Sequence, residues 1–209
     1  MYNIIFISTI HTKIGECNPA ELYKIIERIK PEVIFLEALE STYTEYENQP
    51  SYCKKLEISA IKKYEINNTF KYIPVLDYGF SDAFEKKYRI VGKDPTAQLL
   101  VASFQALAGE GGFNFLNSPE STRLQEEMRM EELNILNKVE LANEVDRHID
   151  EYENGMLRNI RSYCEKNQFT TAIFMCGVAH RKSIIEKIDK HTAEKVRMNW
   201  VLFNHEKLL

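Results

Sequence analysis

Apolar residues fall in short blocks along the first part of the chain. Ile4-Ile5-Phe6-Ile7 and Val33-Ile34-Phe35-Leu36 are too short for helices and rich in β-branched side chains, as expected of strands buried on both faces of a parallel sheet. Between them, Asn18-Pro19-Ala20-Glu21 carries a helix start: Asn18 as N-cap, Pro19 at the first helical position and Glu21 where a capping box wants it. Leu22, Ile25, Ile26 and Ile29 give that helix one apolar face, and Pro31 stops it. The segment thus predicts a βαβ unit with a right-handed crossover. A third strand is expected at Tyr72-Ile73-Pro74-Val75-Leu76, its proline pointing to a sheet edge or a bulge. The Tyr-rich, charged residues 41–68 before it read as helical scaffold.

Downstream the periodicity changes from two to between three and four. Residues 94–167 hold no convincing strand: Asp94-Pro95 opens a helix through Ala108, residues 109–113 read as a glycine-rich loop, and a long helical stretch follows. In that stretch Ala142, Val145, Ile149, Tyr152, Met156, Ile160 and Tyr163 recur at helical spacing, so one face is buried. A fourth strand, Ala172-Ile173-Phe174-Met175-Cys176, leads into Gly177-Val178-Ala179-His180 and a helix through Ile188, and residues 196–203 close the sheet. The expected fold is one α/β domain over residues 1–209, with a mostly parallel central sheet flanked by helices. The 94–167 helical insertion precedes the last two strands and is expected to form a lid or cap over the pocket.

Composition narrows the function. At 209 residues and 44% apolar the chain can bury a core of its own. Its net charge of −4 arises from 27 basic and 31 acidic side chains that are interspersed, with no basic stripe to follow a phosphate backbone, so nucleic acid is not an expected partner. No apolar run approaches the roughly 20 residues that span a bilayer, and the start lacks a basic n-region and cleavage site, so no membrane partner and a cytoplasmic location are expected. Cys17, Cys53, Cys164 and Cys176 are scattered without a CxxC pair and read as reduced thiols.

The candidate chemistry lies at the carboxyl ends of the strands, where open α/β sheets bind ligands. His11, Glu37, Asp77 and His180 all fall there. One device occurs twice: an apolar strand, then Ser8-Thr9-Ile10-His11 or Gly177-Val178-Ala179-His180, with a small residue three positions before each histidine. Alone, each histidine reads as a satisfied polar residue; the repetition, with Glu37 at an intervening strand end, points to a shared pocket. Two imidazoles and a carboxylate suit a divalent ion (Mn, Co, Zn or Fe) bound by His11, Glu37 and His180, which could supply hydroxide at neutral pH. Without metal, one histidine serves as general base and the other as acid or oxyanion donor, oriented by Glu37 or Asp77. His148, His191 and His205 have structural readings, and no GxSxG, GxxxxGK[ST] or GxGxxG loop occurs.

These residues resemble a superfamily that contains TraB/PrgY proteins, Tiki metalloproteases, erythromycin esterases and haem-binding ChaN-like lipoproteins. The resemblance rests on Ser8-Thr9-Ile10-His11, Pro31-Glu32-Val33-Ile34-Phe35-Leu36-Glu37, Met156-Leu157-Arg158-Asn159 and Gly177-Val178-Ala179-His180, in the family's order. It implies that His11, Glu37 and His180 line the active pocket, with a divalent ion in Tiki-like members and a histidine base in esterase-like ones. Two positions depart from the pattern: Ser8 stands for a glycine, and Tyr152 for an arginine about four residues before Met156. Arg158, or Arg147 or Arg161, could substitute for that arginine; Asp77, Tyr152 and Arg158 are therefore the candidate substrate-binding residues. The expected activity is hydrolysis of an ester, lactone or peptide bond in a small-molecule or peptide substrate. The alternative is a non-catalytic binding protein of the same fold for haem or another small molecule, and a homodimer built on the 142–163 stripe is a further expectation.

Overall fold

The computed structural model describes residues 2–42, 44, 55–79, 81–191 and 198–204. Cys53 and His205 lie outside the described residues, as does most of the Tyr-rich segment. Five strands, β1 (Tyr2–Thr9), β2 (Val33–Leu36), β3 (Lys71–Pro74), β4 (Thr171–Gly177) and β5 (Met198–Leu202), form one all-parallel sheet in the order β3-β2-β4-β1-β5. Seven described helices follow in chain order: α1 (Pro19–Ile29), α2 (Leu56–Glu65), α3 (Asp82–Val91), α4 (Pro95–Leu116), α5 (Pro119–Asn137), α6 (Ala142–Lys166) and α7 (Arg181–His191).

Local signals explain most boundaries. The Asn18 side chain accepts from the amides of Ala20 and Glu21, and Lys30 ends α1 in the left-handed conformation. Asp94 caps α4 in the same way, accepting from Thr96 and Ala97. The strands alternate between two cores. Ile5, Ile7, Ile34, Leu36, Ile173 and Met175 pack toward α1 and α2, whereas Ile4, Phe6, Phe35, Ala172 and Phe174 pack against α6 and α7. Pro74 sits on edge strand β3, where its missing N–H costs no ladder bond.

The 94–167 insertion, together with α3 before it, carries a small core of its own around Phe84, Leu136, Ala142, Val145 and Ile149. It is tied to the sheet by a buried polar cluster. The Arg181 guanidinium donates to Ser8 Oγ (3.0 Å), Asn117 Oδ1 (2.8 Å) and the Asn117 carbonyl (3.1 Å), while Asn117 also bonds both backbone groups of Ser8. Ser8 is thus more than a small residue at a turn. One expectation is corrected: residues 109–113 are not a loop. The helix continues to Leu116, broken only at Gly112, whose φ of 58° and ψ of −148° leave the helical region. The reason is docking: the Glu16 amide donates to the Gly109 carbonyl at 2.8 Å, and a Cβ on Gly15 would stand 2.3 Å from that oxygen. This contact packs the segment against the turn that follows His11. Among the described residues no helix is long and apolar enough to cross a membrane.

Candidate functional site

Topology places the chemistry. After β1 the chain crosses toward β2, and after β4 it crosses toward β5, so the connections leave the neighbouring strands β1 and β4 in opposite directions. A crevice opens at such a switch point. His11 follows β1, His180 follows β4 and Glu37 follows β2, so three adjacent strands, β2-β4-β1, deliver the three side chains side by side. Parallel register levels them: Thr9 pairs with Gly177, and the Glu37 amide donates to Met175.

The side chains converge on Gly177. A Cβ at that glycine would lie 3.2 Å from Glu37 Oε2, 3.6 Å from His11 Nε2 and 3.8 Å from His180 Cδ2. The lack of a side chain there creates the space they share. Glu37 is fixed at both oxygens: the Gly177 amide donates to Oε2 at 2.6 Å and the Tyr152 hydroxyl to Oε1 at 2.9 Å. His180 Nε2 approaches Oε1 at 3.5 Å.

Each imidazole is also held from behind by a second carboxylate. His11 Nδ1 bonds Glu57 Oε1 at 3.0 Å, and that oxygen also accepts from Thr9 Oγ1 at 2.5 Å. His180 Nδ1 bonds Glu153 Oε1 at 2.8 Å, while Ser183 Oγ and Lys187 Nζ each donate to Glu153 Oε2 at 2.5 Å. Glu57 and Glu153 are completely buried, His180 is 15% exposed and His11 39%. The order across the site is therefore Glu57, His11, Glu37, His180, Glu153: His180 meets Glu37 directly, His11 faces it across the Gly177 space, both Nδ1 atoms are engaged and both Nε2 atoms are turned to the middle. A carboxylate behind Nδ1 fixes the tautomer and favours a ring that takes up a proton at Nε2.

Electrostatics follow from this packing. Burial alone would lower the His180 pKa, but the charges of Glu37 and Glu153 and the bond to Glu153 outweigh it, so it lies above the ordinary value. His11 behaves alike: burial lowers it, and the Glu57 bond and charge, with Glu37, raise it further. Burial pushes Glu37 upward, yet the two imidazoles and the Gly177 amide bring it below the usual carboxylate range. Tyr152, buried beside Glu37, is held well above its usual value and stays a hydrogen-bond donor. Burial pushes the Cys17 and Cys164 thiols up to about 12, and Cys176 well above its usual value, which suits inert thiols.

The other candidates fall elsewhere. Asp77 is exposed and bonds Asn159 (2.8 Å) and Arg158 (3.5 Å), a surface cluster with no contact to either imidazole. Tyr152, by contrast, does join the site through its bond to Glu37, and its ring stacks on His180 with centroids 5.6 Å apart. Glu57 and Glu153 went unpredicted. A signal for Glu153 exists: it lies at the i+4 position in the series 149, 153, 156, 160, an acidic residue inside a buried stripe. Glu57 sits in the first turn of α2, where no motif marks it.

Among the described residues no group of three or more histidine, cysteine, aspartate or glutamate side chains is arranged to hold a metal ion. His180 Nε2 and Glu37 Oε1 are spaced as two ligands of one ion would be, but a third donor does not complete the set. A cavity of about 440 Å³ between α3, α4, α5 and α6 opens onto Ala179 and His180. Comparison with protein-family models, with curated proteins and with solved structures found no match to this chain.

Proposed function

We propose that the chain is a hydrolase of an ester, lactone or peptide bond, in which His11 and His180 handle protons around Glu37. The observation that carries this reading is the pair of carboxylate-backed imidazoles, Glu57 behind His11 and Glu153 behind His180, facing one carboxylate across the space left by Gly177. Structural histidines need one satisfied partner; two rings poised alike around a third acid point to proton transfer.

The roles follow from access and charge. His11, the more exposed ring, takes the proton of a water at Nε2, and Glu57 stabilises the resulting imidazolium. The water oxygen bonds to the acyl carbon, and the carbonyl electron pair moves to oxygen. His180, protonated between Glu37 and Glu153, donates a hydrogen bond to that oxyanion. The tetrahedral carbon then expels the alcohol or amine, which leaves with the proton held by His11. An acid and an alcohol or amine result, and both rings return to their starting state. Glu37 holds His180 charged, and the Tyr152 hydroxyl keeps Glu37 in place.

The superfamily resemblance supports the same assignment through the motifs alone. A metal-dependent version, with His11, Glu37 and His180 as ligands, is the second reading, because Nδ1-tethered imidazoles also suit metal ligation. The incomplete donor set favours the metal-free version, and no step above passes through an ion. The test is turnover of a p-nitrophenyl ester, lactone and peptide panel by the wild type and by His11→Ala and His180→Ala, with elemental analysis of each preparation. Loss of about 10²-fold or more in both folded variants is expected. Equal turnover in all three, or none in the wild type, overturns the hydrolase reading. Stoichiometric metal lost with the histidines moves the assignment to the metal version.

A further inference from the structure

The cavity between α3, α4, α5 and α6 has the composition of a chain-binding site. Its walls include Val91, Leu100, Val101, Leu133, Val145 and Ile149, and His180 also lines it. At about 440 Å³ it is of the size that encloses most of a small organic ligand. The four Lys, Arg, Glu and Asp side chains in its wall, and Gln98, are already matched. Lys87 pairs with Glu132, Arg129 Nη2 bonds Asp146 Oδ1 at 3.0 Å, and Gln98 donates to the Gly92 carbonyl at 2.7 Å. Two cations thus meet two anions, which leaves no net charge to recognise an ionic ligand. Burial, with Arg129 nearby, pushes Lys87 down to about 8, so these walls disfavour further charge.

The α4 wall extends this logic. From Pro95 to Gly109 the helix carries no charged residue, and its apolar side chains do not all face the core. Ala97, Phe104 and Ala108 are buried, whereas Leu99 is 70% exposed and Val101 40%. A helix that serves only as scaffold places polar side chains on its outer side. An uncharged α4 wall, in a cavity whose other charged side chains are paired and which reaches a titratable imidazole, suits an uncharged apolar chain whose reacting group lies at His180.

We propose that this cavity binds the acyl side of the substrate, and that the substrate class is an uncharged, medium-length aliphatic or aromatic carboxylic ester or lactone. The assignment of the carbonyl end rests on the hydrolase reading, but binding of the apolar chain does not require turnover. The experiment has two arms. In the first, 2-nonanone, an uncharged carbonyl compound with no bond to hydrolyse, is titrated into the wild type, Ala102→Trp and Gln105→Trp, and followed by amide NMR. In the second, kcat/KM is measured for p-nitrophenyl acetate, butyrate, hexanoate and octanoate.

The ketone is expected to bind the wild type, with shifts mapping to α3–α6 and His180, and to lose about tenfold or more in affinity in either tryptophan variant. Each added methylene is expected to raise kcat/KM by up to about tenfold until the cavity is filled, and the octanoate-to-acetate ratio should fall in both variants. No ketone binding, shifts mapping elsewhere in the wild type, or equal affinity in folded variants overturns the proposal. Ketone binding without cleavage of any ester leaves the cavity assignment standing and sinks the hydrolase reading. Cleavage of acetate without ketone binding does the reverse.

Discussion

Replacing Glu153 with glutamine probes the buried half of the site. The carboxylate is fully buried and accepts from His180 Nδ1, Ser183 Oγ and Lys187 Nζ, at 2.8, 2.5 and 2.5 Å. Glutamine keeps the shape but removes the charge, so two cationic partners lose their counter-ion. Removing one member of a buried pair costs about 3–5 kcal/mol. Lys187 retains Asp150 at 2.9 Å, which places the expected cost near the lower end, about 3 kcal/mol. Urea unfolding followed by the fluorescence of Trp200, which packs edge-on against Phe174 with ring centroids 6.2 Å apart, measures it.

The pH dependence gives a second readout. Burial raises the Glu153 pKa, but its bonds to His180, Lys187 and Ser183 take it below the ordinary 4.5, so its contribution is present above that pH and is lost as pH falls through the lower folded value. His180 lies above 6.5, so its contribution is complete below 6.5 and is lost as pH rises through the folded value. The gap between wild type and Glu153→Gln should therefore be widest between pH 4.5 and 6.5 and narrow on either side. A cost under about 1 kcal/mol, or a gap that does not change with pH, would refute the ion-pair reasoning.

Other perturbations separate support from chemistry. Glu57→Gln should lower the His11 pKa, moving the alkaline-rising limb of kcat/KM to lower pH and cutting kcat about 10²-fold, whereas a merely structural Glu57 would leave the limb in place. Gly177→Ala inserts a methyl group 3.2 Å from Glu37 Oε2 and should abolish most turnover while circular dichroism stays unchanged; full activity would show that the space is not used. Asn117→Ala strips partners from Ser8 and Arg181 and should cost about 2–4 kcal/mol in urea unfolding, with a cost near zero refuting the tie between insertion and sheet. Haem addition should leave the Soret region without a protein-dependent band; a band that vanishes in His180→Ala would replace the hydrolase by a binding protein.

The parallel sheet and its helices were legible because buried strands announce themselves as short apolar blocks, and Asn18 and Asp94 mark helix starts by side-chain chemistry. His11, Glu37 and His180 were legible for a related reason: each ends an apolar strand, and parallel strands share one carboxyl edge. Residues 109–113 misled because three glycines in five residues read as a loop, whereas here glycine allows close approach between α4 and the turn at Gly15. Glu57 escaped because helix burial depends on which face meets the sheet, and the weak periodicity of α2 does not announce that face. Asp77 follows β3 in sequence, but it pairs with Arg158 of α6 on the surface, away from the two imidazoles.

The central claim is that two imidazoles from opposite ends of the chain feel the same carboxylate. Nitrogen-15 NMR titration of the histidine rings in the wild type and in Glu37→Gln tests it without any substrate. Both His11 and His180 should titrate above 6.5 in the wild type, and both midpoints should fall together in the variant. A midpoint that ignores the substitution in either ring would contradict the shared site.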